Sequence, residues 1–266
     1  MKIRFTKAHG AKNDFLLTWR HDLPESGGGL PAIARAICDR RTGIGADGWM
    51  LVAPAEDAEA EGSIQLYNSD GSVAELSGNG TRCAAALLIH SGLAAGVVRI
   101  RTGAGVKTLR LIQRGGLKFE FEMNMGRPAI EALHCALRLS TGLRDVTLVG
   151  VGNPQCALVV ENLNFDWRAL GAEIETHAQF PNRTNVSFIK PVDRHTIEVC
   201  FWERGAGETM SSGTGSTGAA AAAVALGLAQ WPVRVLTPAG PIALRADEEI
   251  FLTGPAQIVG EGEFLL

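Results

Sequence analysis

Apolar and polar residues alternate along short stretches of this chain, and the alternation recurs from one end to the other. The pattern at 2–6 (KIRFT), 15–19 (FLLTW), 63–68 (SIQLYN), 97–102 (VVRIRT), 108–113 (TLRLIQ) and 117–124 (LKFEFEMN) predicts strands, as does that at 145–151 (DVTLVGV), 157–161 (ALVVE), 184–189 (TNVSFI), 196–202 (TIEVCFW) and 232–238 (PVRVLTP). Their β-branched and aromatic content supports this, and Gly and Pro punctuate them. Two alanine runs, 84–88 and 219–225, predict helices whose small side chains allow close packing on a sheet. Segments 31–39 (PAIARAICD) and 166–176 (DWRALGAEIET) predict a second, more amphipathic pair.

The pattern repeats. Laying Ser77 on Ser212 aligns SGNGTRCAAALLIHSGLA (77–94) with SGTGSTGAAAAAVALGLA (212–229), and further on VRIRTGAG (98–105) with VRVLTPAG (233–240). One offset near half the chain length implies a duplication rather than a solenoid, which needs at least three shorter repeats. The expected architecture is α+β, with two pseudo-symmetric domains, 1–130 and 131–266. Each is expected to be a curved, mostly antiparallel sheet wrapped around a central helix, with the boundary near 125–145.

With 46% hydrophobic residues over 266, the chain can bury full cores. The net charge of -3, with both signs interspersed, gives no basic field for nucleic acid. The five cysteines, Cys38, Cys83, Cys135, Cys156 and Cys200, are scattered without a C-x-x-C pair, which argues against a disulfide framework and against zinc, and fits a reducing cytoplasm. The alanine-rich stretch is too short and too weakly apolar to span a membrane. The expected partner is a small molecule, with no nucleic acid and no membrane.

The chemistry concentrates at the two serine turns. A glycine-rich turn entering a helix leaves backbone N–H groups pointing outward at the positive end of the helix dipole, where anions bind. Two such turns from two related halves suit one carboxylate held between them, with Ser77 and Ser212 on opposite faces of the adjacent carbon, an arrangement fit for two-base inversion. The second turn also spells G-x-G-x-x-G (Gly213, Gly215, Gly218), but the strand before it is distant and no acidic residue follows about twenty positions on, so a dinucleotide site is disfavoured. Both serines also suit helix N-caps.

Six segments in order, HGAKNDF (9–15), RRTGIGADG (40–48), NSDGSVAELSGNGTRCAA (68–85), GNPQC (152–156), FPNRTNVSFI (180–189) and ERGAGETMSSGTGSTGAA (203–220), resemble diaminopimelate epimerase. The resemblance implies a cofactor-independent, metal-free epimerase inverting an amino-acid α-carbon, in particular converting LL- to meso-diaminopimelate, in a chain that is often a homodimer. It implies that Gly78, Asn79, Gly213 and Thr214 hold the reacting carboxylate with Asn13 at the same end, and that Ser77 and Ser212 stand where the family has its two acid–base cysteines. It implies that Asn68, Asn153 and Asn185 read the distal half of the substrate, that Glu203 meets an amine or activates a serine, and that Arg204 pairs with the distal carboxylate. Three positions depart from the family pattern: serines replace both cysteines, and Gln155 replaces the histidine of GNPHC. A thiol of pKa near 8.5 lies only about 2 kcal/mol from its thiolate at neutral pH, whereas a serine hydroxyl is a far weaker acid. The chain thus reads as an epimerase whose serines draw on a neighbour such as Glu203 or His9, as a homologue that binds without inverting, either diverged or with serines deliberately substituted for cysteines to keep the shape, or as a lyase or isomerase acting after α-proton loss.

Overall fold

The computed structural model of the chain describes residues 2–23 and 29–266. Two compact units emerge, one formed by 1–123 with 254–266 and the other by 124–253. The sequence division at 130 differs from this at the C-terminal end, where residues 254–266 join the first unit.

In the first unit the order is β1 (Lys2–Gly10), β2 (Asn13–Trp19), α1 (Leu30–Cys38), β3 (Gly48–Pro54), β4 (Gly62–Asn68), the short β5 (Val73–Ala74), α2 (Gly78–His90), β6 (Val97–Thr102), β7 (Gly105–Gly115) and β8 (Lys118–Gly126). The second unit repeats it after one extra strand: β9 (Ala129–Leu139), then β10 (Gly142–Gly150), β11 (Pro154–Val159), α3 (Trp167–Glu175), β12 (Asn185–Asp193), β13 (Thr196–Glu203), β14 (Gly207–Thr209), α4 (Gly213–Ala225), β15 (Val233–Thr237), β16 (Gly240–Ala246) and the start of β17 (Ile250–Leu265), whose residues from 254 onward belong to the first unit. The pairing repeats as well. β2–β3 and β4–β6 are parallel in one unit, β11–β12 and β13–β15 in the other, and the remaining registers given for the two units are antiparallel. β17 pairs with β1 through Leu265↔Lys2 to Gln257↔His9 and also with β8, so the first unit's sheet closes on itself. β9 fills the place beside β10 that β17 fills beside β1.

The duplication extends to single hydrogen bonds. Thr102 Oγ1 donates to Gly105 O at 2.7 Å and accepts from Ala104 N; Thr237 Oγ1 does the same with Gly240 O, at 2.7 Å, and Ala239 N.

Each sheet buries both faces, and this accounts for the runs in which alternation fails. Phe15 faces α2, where it lies beside Gly80, while its neighbour Leu16 joins Ile33, Ile37, Trp49 and Leu51 in the cluster under α1. In the second unit Phe201 faces Gly215 of α4, and Trp202 packs on Gly171 of α3. The central helices α2 and α4 are buried nearly throughout, as their alanine runs predict. No described helix is long and apolar enough to cross a membrane.

The central helices approach their sheets through glycine. A Cβ on Gly215 would lie 2.8 Å from the Phe201 ring and 2.9 Å from Ser212 Cβ and Oγ; one on Gly80 would lie 2.7 Å from Met50 Cε. The G-x-G spacing therefore serves helix-on-sheet contact and the fold of the N-cap serine over the first turn. Gly215→Ala is expected to cost about 1–3 kcal/mol by overpacking. Gly115→Ala, with nothing within 4 Å of the added methyl, is expected to stay within about 0.5 kcal/mol of wild type. Urea unfolding midpoints of the two variants check the difference.

Candidate active site

Each unit presents one serine turn, built in the same way. Ser77 is the N-cap of α2, extended at φ -129°, ψ 118°, and its Oγ accepts from Gly80 N at 3.1 Å. Ser212 caps α4 at φ -132°, ψ 126°, accepting from Gly215 N at 3.0 Å. The cap satisfies one of the N–H groups that open a helix; those of Gly78, Asn79, Gly213 and Thr214 have no carbonyl within the helix to bond and lie where the dipole favours an anion.

Beyond the cap the two turns differ. Ser212 is buried, and its Oγ donates to Glu203 Oε1 at 2.6 Å, a short charge-assisted bond from the end of β13. Ser77 is half-buried, and among the described residues of its own unit its Oγ bonds only to Gly80 N. His9 does not reach it: its Nδ1 accepts from Lys12 N at 3.4 Å, and burial lowers its pKa against the raising effect of Asp14. Of the two neighbours proposed to activate a serine, only Glu203 touches one.

Asn13 and Asn79 belong to the Ser77 turn. Asn79 Nδ2 donates to Asn13 Oδ1 at 3.2 Å, and Asn13 Nδ2 donates to Asp47 Oδ2 at 2.6 Å. Arg82, fully buried one turn along α2, donates to Asn79 Oδ1 and, through Nε, to Pro255 O at 3.1 Å. Burial pulls its pKa down to about 10, which leaves it charged at neutral pH. Asp47 also accepts from Arg40, which bridges it to Asp14. Burial and the Asp14 charge raise the Asp47 carboxyl; burial raises that of Asp14 too, but bonds from Arg40 and Lys7 outweigh it and hold it below the usual range. Asn68 pairs with Gly48, next to Asp47, across β3 and β4, while its side chain turns to its own loop, Nδ2 donating to Ser72 Oγ at 3.0 Å.

In the second unit Asn153 Nδ2 donates to Thr214 Oγ1 at 3.3 Å and its Oδ1 accepts from Gln155 Nε2 at 2.7 Å, which ties both to the α4 turn. Gln155 is itself buried, against Gly218. Asn185 opens β12, donating to Pro154 O at 2.9 Å and accepting from Arg204 N at 3.0 Å. Glu175, buried at the end of α3, holds this corner together: it accepts from the Trp202 indole at 2.7 Å and Gly205 N at 2.8 Å, and it pairs with Arg183.

Asp47, Arg82 and Glu175 are absent from the site read in the sequence. The first two lie inside the quoted motifs, and a full charge in a run of small or apolar residues (GADG, NGTRCAAA) was the available signal. Glu175 gave none, because its partners are distant in sequence.

A model of the diaminopimelate epimerase family matches residues 5–131 and 147–259. The chain belongs to that family. The diaminopimelate epimerase of Moorella thermoacetica is 37% identical over 99% of this chain and 100% of its own length, and diaminopimelate epimerase 1 of Nostoc sp. is 36% identical over 99% and 100%. Among solved structures, a hydroxyproline epimerase from Agrobacterium vitis (TM-score 0.75, 16% identity, 98% of this chain and 92% of that one) and a phenazine biosynthesis protein of the PhzF family from Bacillus anthracis (TM-score 0.74, 15% identity, 100% of each) share the fold. The two cysteines within the quoted segments, Cys83 and Cys156, are fully buried.

The thiols of Cys38 and Cys83 are pushed up to about 12 and that of Cys156 is also raised, in each case chiefly by burial. A raised pKa lowers the thiolate fraction at any pH beneath it, to about one in 10⁴ at pH 8 for a pKa near 12. In the native protein at pH 8, iodoacetamide is expected to modify these three at least about a hundredfold more slowly than in the urea-unfolded chain. Peptide mass spectrometry reads the rates.

Proposed function

We propose that this chain transfers the α-proton of 2,6-diaminopimelate, without a cofactor, and that Ser212 with Glu203 is its competent base. The observation that carries this reading is the 2.6 Å bond from Ser212 Oγ to Glu203 at a helix N-terminus. A serine hydroxyl alone cannot take a Cα proton at neutral pH. Backed by a carboxylate, Oγ receives the α-proton as its own passes to Glu203, so the charge ends on the substrate and the proton on the carboxylate. The negative charge then grows on the substrate carboxylate, where the N–H groups of a helix start stabilise it most. Neither Gly78–Asn79 nor Gly213–Thr214 depends on the lip atom being sulfur or oxygen. Arg204 and Asn185, bonded to each other, are the readers of the distal amino-acid end, with Asn68 and Asn153 as further amide contacts.

Ser77 is the weaker partner. With no carboxylate or imidazole bonded to it among the described residues of its own unit, it returns a proton slowly, and this favours exchange without inversion over full epimerisation. The five free cysteines fit a cytoplasmic setting.

In deuterated water with LL- or meso-diaminopimelate, mass spectrometry and chiral chromatography are expected to show α-deuterium entering faster than the stereocentre inverts, and a new product instead would indicate a lyase or isomerase. Glu203→Gln should lower that exchange by at least about a hundredfold, and absence of exchange in the unaltered protein would remove the activity while leaving the family membership.

Changing Ser77 and Ser212 together to Cys should raise inversion by orders of magnitude, because both transfer groups move several pKa units toward neutrality, with affinity kept within about tenfold, or about 1.4 kcal/mol. Arg204→Ala should weaken diaminopimelate by about 2–5 kcal/mol in calorimetry, and an equal loss for a monocarboxylate would refute its pairing with the distal carboxylate.

A further inference from the structure

Four polar side chains of the first unit form one line, and the proton transfer above uses neither end of it. Arg82 Nη2 donates to Asn79 Oδ1, Asn79 Nδ2 donates to Asn13 Oδ1 at 3.2 Å, and Asn13 Nδ2 donates to Asp47 Oδ2 at 2.6 Å. Every bond points the same way. A guanidinium has only donors and a carboxylate only acceptors, so neither end can exchange roles. An asparagine amide between fixed neighbours cannot flip without setting donor against donor or oxygen against oxygen. The two ends thus dictate the orientation of both amides.

The ends are themselves anchored. Asp47 Oδ2 accepts a second bond from Asp14 N at 3.1 Å, and Oδ1 accepts from Arg40 Nη2 at 2.7 Å. Arg82 is wholly buried, packed where a Cβ on Gly254 would lie 3.0 Å from its Cζ, and its Nη1 is buried without a hydrogen-bond partner. No carboxylate bonds to its guanidinium among the described residues. A buried charge of this kind leaves the surroundings of the α2 turn short of one negative charge. In the second unit the aligned position is Thr217, and the charged group beside that turn is Glu203, so this electropositive character belongs to one turn of the two.

We propose that Asp47 and Arg82 are positioning residues: by holding the two ends of this relay they fix Asn13 and Asn79 with each amide oxygen turned toward the Arg82 end and each Nδ2 toward Asp47, which leaves neither oxygen turned to a ligand and makes the α2 turn selective for a carboxylate over a carboxamide. The inference rests on the reading that this turn receives the substrate carboxylate. A carboxamide presents an N–H₂ that no oxygen of the relay is turned to accept, and it leaves the Arg82 charge without a complement.

The relay is tested first without ligand. Side-chain amide resonances of the ¹⁵N-labelled protein are expected to shift at both Asn13 and Asn79 on Asp47→Ala. They should return toward wild type in Asp47→Asn, which keeps an accepting oxygen. An Asn79 resonance unmoved by Asp47→Ala overturns the relay, whether or not the protein binds diaminopimelate. Selectivity is tested by calorimetry with meso-diaminopimelate and its diamide. Asp47→Ala should weaken diaminopimelate about tenfold, Asn13→Ala should do the same, and the double variant should be within twofold of Asn13→Ala alone, because Asp47 acts through Asn13. The preference for diaminopimelate over the diamide should narrow in Asp47→Ala and recover in Asp47→Asn. Additive losses in the double variant, or an unchanged preference, overturn the selectivity role. If the unaltered protein binds no diaminopimelate, the functional reading fails on its own account and the amide resonances still decide the relay.

Discussion

Each of the two serine turns depends on one contact: a serine side chain folded back onto the third residue of the helix it caps. Glycine suits that residue, because a Cβ at Gly215 would crowd Ser212 itself and the Phe201 ring, and one at Gly80 would displace the end of Met50. The same closeness sets the rest of each unit. A helix brought onto its sheet without side-chain spacers needs alanine along its length, and α2 and α4 supply it. With the inner face of the sheet taken by one helix and the outer face by another, strands such as β2 and β3 are apolar on both sides. The placement of Ser77 and Ser212 at the positive ends of α2 and α4 follows from that packing.

The duplication kept the scaffold and let the chemistry diverge. The threonine hairpins at 102–105 and 237–240 have the same hydrogen bonds, as do the two serine caps. The charges placed around the caps are opposite in kind. Beside α4 a carboxylate bonds to the serine; within α2 a guanidinium sits in the core, linked to the Asp47 carboxylate through two amides. Glu175 and Arg40 have comparable mechanical parts, each joining segments that carry site residues: Glu175 joins α3 to the turn after β13, and Arg40 joins β2 to the start of β3.

Much of this was legible in the residues. Strand alternation located most strands, the alanine runs located α2 and α4, and the offset of Ser77 on Ser212 exposed the repeat. The elements left unread share a cause. β3 lacks alternation because both its faces are buried, and β9, AIEALHCALRL, is rich in alanine and leucine, whose helical propensity is overridden by pairing along β10. β17 is long because it serves two units, and no local signal marks where a strand passes from one to the other.

The sequence by itself determined the duplicated α+β plan, the two serine turns and the family, because these rest on local propensity, spacing and ordered motifs. Only the tertiary structure decided which charges reach which serine. Glu203 and Ser212 are joined by a hairpin that brings a strand end to a helix start, and Asp47 reaches Asn13 across the parallel pairing of β2 and β3. Arg82 turns inward to Asn79 and Pro255 and away from solvent. Hydrogen-bond direction depends on atoms within about 3 Å of one another, and residues that far apart along the chain meet at that range only through the packing of the sheets and their helices.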